Sequence, residues 1–282
     1  MTLREQFQLP IEALHNTSRI PATFHSHLDY EIYYFHSGRC TYLIGDKIYD
    51  LEPGDLILLN GTTLHYPKVD EQVGYIRTII HFNPSFAGQL LRPPFIQTDI
   101  LKPFEESKNM RLSVERSDRE RLEPLLQRLC LLYAASDTLS HDRFLLAFTE
   151  LLLLIRELSS KPQAEGSFPA SAKQASAQRV ISYIEANFAE DITLDGMAAE
   201  LHVNKHYLAK LFKEVTGITP FHYLYQRRVN EAKVLFAMDR QRPVTDIAYR
   251  VGFKHGSHFS KTFKKYTGMS PDLYRKGIRP QV

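Results

Sequence analysis

The sequence predicts an α+β chain of two domains, and three observations carry that prediction. Residues 23–82 hold short runs of β-branched and aromatic residues broken by turn signals, the pattern of a small antiparallel barrel or sandwich. Residues 193–271 contain one two-helix unit twice. Between them lie two leucine-rich helical stretches, followed by a Ser/Ala/Pro/Gly segment without periodicity.

In chain order, residues 1–20 form an arm with few signals beyond Phe7, Leu9 and Pro10. Strands are expected at 23–38, 41–45, 47–51, 55–60 and 75–82. Gly45-Asp46 suits a two-residue hairpin turn, and Pro53-Gly54 a second turn. His25 and His27 alternate to one face of a strand, Glu31 shares their parity, and His65 comes from a neighbouring strand. Three imidazoles and a carboxylate are a possible transition-metal set; the same groups equally well bond an organic ligand or one another.

Helices are expected at 119–134, where Leu122, Leu125, Leu126, Leu129 and Leu132 recur at helical spacing, and at 143–158, which is apolar beyond the needs of one buried face. The first domain is therefore placed at 1–160, a linker at 161–175, and the second domain at 176–282, opening with a helix over 178–188.

The repeat is explicit. Met197, Ala198, Leu201 and Val203 recur fifty positions on as Ile247, Ala248, Val251 and Phe253. Leu208, Lys210, Phe212, Lys213, Gly217 and Pro220 recur at fifty-one as Phe259, Lys261, Phe263, Lys264, Gly268 and Pro271. In the first copy Asn204 caps a second helix whose buried stripe is Leu208, Leu211, Phe212 and Val215, leaving His206, Lys210 and Lys213 outside. In the second copy Phe259, Thr262, Phe263 and Tyr266 face inward, and Ser257, Lys261 and Lys264 outward. Helix, short turn, helix with a cationic outer face is the helix-turn-helix arrangement, whose second helix enters a major groove. Thr219-Pro220 and Ser270-Pro271 each start a further helix. The first of these, 220–238, is about 28 Å long at 1.5 Å per residue, enough to hold two reading helices roughly one duplex turn apart.

Residues 176–276 resemble the DNA-binding domain of the AraC/XylS family, most closely in IAYRVGFKHGSHFSKTFKKYTGMSPDLYRK. The resemblance places base-reading positions at Lys205, His206 and Lys210, and at His255, Ser257, His258 and Lys261, with Lys213 and Lys264 on the same outer faces. The spacing His25-x-His27-x-x-x-Glu31, then Gly38, the Pro-Gly-Asp at 53–55 and His65, resembles a cupin barrel. Joined to such a reader, that barrel implies a small-molecule sensor with His25, His27, Glu31, Tyr33 and His65 as effector contacts. It implies no metal or other cofactor; His25, His27, Glu31 and His65 are the set that would hold a metal. The resemblance also makes the leucine-rich helices a homodimer contact. It makes double-stranded DNA with direct-repeat sites, RNA polymerase and a small effector, a sugar or a derivative, the partners of an activator.

Composition agrees. Residues 176–282 carry 17 Lys and Arg against 10 Asp and Glu, whereas the remainder carries 18 against 22, so phosphate attraction is concentrated in one domain. Two cysteines exclude a disulfide framework. The N-terminus lacks a signal peptide's apolar core and the run at 151–155 is too short to span a bilayer, so a cytoplasmic location without membrane contact is expected. Two other functions compete with the expected non-enzymatic regulator: a metal-dependent cupin enzyme fused to a DNA-binding domain, and an effector-independent repressor.

Overall fold

Side chains alternate in strand β2 (Tyr30–Ser37) so that Ile32 and Tyr34 enter one core while Tyr33 and Phe35 enter another, and all four are fully buried. A strand covered on both faces needs a layer on each side, and the computed structural model shows both. It describes residues 9–15, 24–70, 72–90, 96–106, 109–162 and 171–277.

A five-stranded antiparallel sheet runs in the order β1-β7-β2-β5-β8. Its other members are β1 (Ile11–His15), β5 (Asp55–Leu59), β7 (Ile76–Phe82) and β8 (Asn109–Ser113). A three-stranded sheet, β4-β3-β6, lies opposite, with β3 at Cys40–Ile44, β4 at Lys47–Asp50 and β6 at His65–Val69. Between the sheets sit Tyr33, Phe35, Ile57 and Leu59 from one side and Cys40, Tyr42 and Ile44 from the other. The fold class expected from the sequence, a cupin-like antiparallel domain followed by an all-helical one, is thus the one observed.

Two short helices follow the sheets, α1 (Pro84–Leu90) and α2 (Lys102–Glu106). Two long ones, α3 (Arg116–Tyr133) and α4 (Thr138–Ser160), cover the outer face of the larger sheet, packing Leu122, Leu126, Leu129, Phe148, Leu152 and Ile155 on Ile32, Leu56, Leu58 and Ile80.

The helical domain begins at α5 (Ala172–Asn187), capped by Ser171, six residues before the expected start at 178. The expected linker 161–175 therefore ends in helix, and its 163–170 portion lies outside the described residues. The first two-helix unit is α6 (Leu194–Glu200) and α7 (Lys205–Thr216); the second is α9 (Val244–Arg250) and α10 (Gly256–Thr267). Helix α8 (Pro220–Met238) joins them, and α11 (Pro271–Gly277) is the last described helix. The repeat extends to the backbone. His202 (φ 55°) and Gly252 (φ 90°) occupy the same turn position, each followed by an N–H reaching back to Ala198 or Ala248. Gly252 adopts that conformation without penalty, whereas His202 is the one described non-glycine residue at positive φ.

The core of the first unit is continuous with the barrel. Leu43, Ile48, Phe24 and Leu64 pack with Ala177, Ile181, Met197, Leu208, Phe212 and Tyr223, so the smaller sheet's outer face is covered by the reading domain. The second unit has its own core around Phe236, Ile247, Phe259 and Phe263.

Strands β1 and β8 are not among the expected ones, and β6 is expected only as an unbounded strand at His65. Each is five residues long, and all three are at sheet edges, where short strands, and in β6 a Pro67, are tolerated. The stretch 23–38 is not one strand: His25 makes an isolated bridge to His65, the chain bends, and β2 starts at Tyr30. Residue Phe7 of the expected arm lies outside the described residues.

Gly61 (φ 73°) fixes that bend. Its carbonyl accepts from His27 N at 2.9 Å, and a Cβ there would stand 2.0 Å from the Asp29 carbonyl oxygen. Gly61→Ala is expected to destabilise the protein by more than about 2 kcal/mol, from left-handed strain plus a backbone clash, read as a lower urea midpoint at unchanged m-value.

Candidate functional site

The bend delivers four groups to the barrel mouth. The donor atoms of His25, His27, Glu31 and His65 lie within 4.8 Å of one another. Glu31 occupies the centre, 2% exposed, with His27 Nε2 and His81 Nε2 each 3.0 Å and His65 Nε2 3.4 Å from its Oε2. Its Oε1 accepts a bond of 3.4 Å from Tyr42. Burial pushes the Glu31 carboxyl up, but the hydrogen bonds from His27, His65 and His81 and the field of His65 outweigh it and hold the group well below the usual carboxylate range. Burial depresses His81, yet Glu12 and Glu31 raise it to about 10.

His65 Nδ1 is 2.8 Å from the Thr63 carbonyl and must donate to it. A neutral ring then turns its Nε2 lone pair on Glu31, so two acceptors face each other unless a proton or a cation comes between. His27 contacts two acceptors in the same way, the Asp29 carbonyl at 2.9 Å and Glu31 at 3.0 Å. A proton on each ring, or one divalent cation, would relieve both contacts. Around zinc, with bonds of about 2.1 Å, tetrahedral donors stand roughly 3.4 Å apart, so the four side chains would have to close in to hold one.

His81 is absent from the sequence-derived set. Its signal is cross-strand register: it pairs with Glu31 in the larger sheet, which no motif spacing encodes. Tyr33, expected as an effector contact, is instead fully buried between the sheets, its hydroxyl 2.5 Å from that of Tyr75 and its ring 4.8 Å from Tyr42. The Pro-Gly-Asp aspartate is structural as well: Asp55 accepts from Glu52 N and Arg111, both at 2.7 Å, and ties the turn to β8.

On the reading domain, His206, Lys210 and Lys213 lie along the outer side of α7, and Ser257, Lys261 and Lys264 along that of α10. The buried stripes predicted for both helices are buried or half-buried. Lys205 bonds Asp195 at 2.8 Å across the turn. His255 is the N-cap of α10 without a capping bond, and His258, though exposed, sets its ring edge against Tyr225 and Phe253.

Helix α8 adds a row that sequence reasoning missed. Gln226 donates to the Phe24 carbonyl at 3.3 Å and Asn230 to that of Thr62 at 2.6 Å, while Tyr223 gives its one proton to Glu185 at 2.6 Å and stands 3.1 Å from the Gly45 carbonyl. Lys233 donates to the Ser26 carbonyl at 2.8 Å and its hydroxyl at 2.9 Å. Residues 223, 226, 230 and 233 share one helix face, and the segments that the last three hold flank His25 and Gly61. The signal available in sequence was four polar residues at helical spacing, which also describes any solvated face.

Glu31→Gln is expected to cost about 3 kcal/mol at neutral pH, because it leaves the buried His65 and the half-buried His27 and His81 facing an uncharged amide. A lowered carboxylate contributes stability only while ionised, above the usual carboxylate range. The gap between variant and parent in urea titrations should therefore close as pH falls below that range.

Two family models match the chain: an AraC-like ligand-binding domain over residues 8–153 and a helix-turn-helix domain over 197–277. The HTH-type transcriptional activator RhaS of Escherichia coli is 32% identical over 130 residues, 46% of this chain and 44% of that relative. The match thus spans less than half the relative's length. Among solved structures, the C-terminal domain of AraT from Geobacillus stearothermophilus is 33% identical with a TM-score of 0.37, covering 40% of this chain and 94% of that one. An apo form of ToxT from Vibrio cholerae is 14% identical with a TM-score of 0.40, covering 96% and 98%. Among the described residues no helix is long and apolar enough to cross a membrane.

Proposed function

The chain belongs to the AraC/XylS family, and from that premise we propose that it is a sequence-specific DNA-binding regulator, an activator whose N-terminal domain responds to a small molecule. One observation carries the reading: two helix-turn-helix units of matching layout turn cationic faces outward from one connecting helix. A helix of nineteen residues spans about 28 Å, so α7 and α10 would enter successive major-groove segments on one side of a duplex. The tandem units suit direct-repeat sites, and the family resemblance supports contact with RNA polymerase. The effector would be a sugar or derivative, read through the domain that carries the His25, His27, Glu31 and His65 cluster. A cytoplasmic location fits DNA as the partner.

The homodimer has its own support. Leu139, Leu146 and Leu153 are exposed along α4 at seven-residue spacing, and Leu131 is exposed on α3. A heptad stripe of leucines on a helix already packed on its other side suits the seam of a coiled-coil pair. Leu146→Glu is expected to weaken self-association roughly 30-fold, followed by sedimentation equilibrium, with the fold retained by circular dichroism.

DNA reading is tested by a pair of variants. Lys261, in the middle of α10, would face base edges, and Lys264, a turn later, the backbone. Lys261→Ala is expected to weaken the specific site more than random duplex, by a discrimination of about 1–3 kcal/mol, and Lys264→Ala to weaken both alike. Unchanged site preference for Lys261→Ala in a competition binding assay would show that α10 sits in the groove in another register.

A further inference from the structure

A cleft of about 490 Å³ opens between the two domains, with His25 of the histidine cluster in its wall. One wall is the Phe24–Ser26 segment with Leu64; the other is the α8 face with the end of α10. Four of its lining residues are Lys233, Lys265, His222 and His25, and among the described residues no carboxylate lines it. Lys233 is drawn down to about 8 by burial alone, and its bonds are to neutral oxygens of Ser26. A half-buried ammonium without an acid is partly desolvated at a cost, and an anion beside it offsets that cost.

Two further atoms specify more than charge. Gln226, only 6% exposed, spends its amide N–H on the Phe24 carbonyl, and its Oε1 is buried with no hydrogen-bond partner. His222 Nε2 is likewise buried without one. An amide oxygen only accepts, so the group that satisfies Gln226 must carry an O–H or N–H. Phe24, Leu64 and Tyr266 supply apolar surface for a carbon skeleton.

We infer that this cleft binds a small hydroxylated organic anion, a polyol bearing a carboxylate or a phosphate, with Lys233 and Lys265 on the charged group and Gln226 on a hydroxyl. Such a ligand touches both domains at once. It binds best to the arrangement in which α8 lies against the barrel, so its occupancy biases how the reading helices are held. That consequence, unlike the binding itself, rests on the regulator reading above.

The test is calorimetric titration of the full chain with gluconate, glucose 6-phosphate and neutral glucose at millimolar concentrations. One of the two anions is expected to bind and glucose not; which anion binds separates the carboxylate from the phosphate source. Lys265→Gln, at an exposed position, and Lys233→Met should each weaken anion binding about tenfold, with unfolding midpoints confirming intact folds. If neither anion binds more tightly than glucose, or if Lys265→Gln leaves anion affinity unchanged, the assignment is overturned. Affinity for a specific duplex, measured with and without the bound anion, separates the two claims. A change supports the coupling, whereas binding without any change supports the cleft and overturns its regulatory role.

Discussion

One helix face holds this molecule in the form described. Gln226, Asn230 and Lys233 project from α8 and close on carbonyls of the barrel, with Tyr223 packed beside them, while the same helix sets the separation between α7 and α10. Spacer and clamp are thus a single rigid element. A net hydrogen bond is worth about 1 kcal/mol, so Gln226 and Asn230 contribute on the order of 2 kcal/mol, while the two bonds of Lys233 are offset by the desolvation of its ammonium. A ligand at one hundred times its dissociation constant contributes about 2.7 kcal/mol. The two are of comparable size, so a bound molecule adds to docking about as much as this row does, on top of the apolar contacts of Phe24, Leu43, Ile48 and Leu64.

The barrel mouth works by a different physics. Buried charge is tolerated at Glu31 because imidazoles converge on it, and they converge because Gly61 lets the chain approach Asp29 closely enough to bend. The residues that clamp α8 accept through the same bend: Phe24 and Ser26 flank His25, and Thr62 follows Gly61. A change in the charge state or contents of the cluster therefore acts on backbone that the reading domain holds directly, with no intervening layer of packed side chains.

Much of this was legible in the sequence, for definable reasons. The two-helix units are local, so periodicity, the Asn204 cap and the prolines at 220 and 271 specify them almost completely. Strands β2 to β5 and β7 announce themselves by composition. Strands β1, β6 and β8 do not, because an edge strand needs only one partner and little apolar signal. The His25, His27, Glu31 and His65 set followed from spacing, although the uninterrupted strand assumed for it is broken at 28–29; proximity survived because the bend folds back on the same mouth. His81 and the burial of Tyr33 depend on register and on which sheet face meets which, and neither is encoded within a short window. The α8 row depends on docking between domains, the least local property of all.

The distribution of polar burial gives the last step. In the reading domain, the buried guanidiniums are hydrogen-bonded within the domain: Arg227 meets Glu185 and Glu231, and Arg228 meets the carbonyls of Phe188 and Glu190. Lys233, one turn beyond Arg228 and Val229 on the same helix, takes its acceptors instead from Ser26, across the domain boundary. An isolated helical domain has no need of that lysine for its own stability, since separation would return the ammonium to water. Its cost falls only on the docked arrangement. A cation that penalises docking and is relieved by an anion makes the docked state conditional, and conditional docking distinguishes a responsive regulator from a chain whose domains are permanently fused.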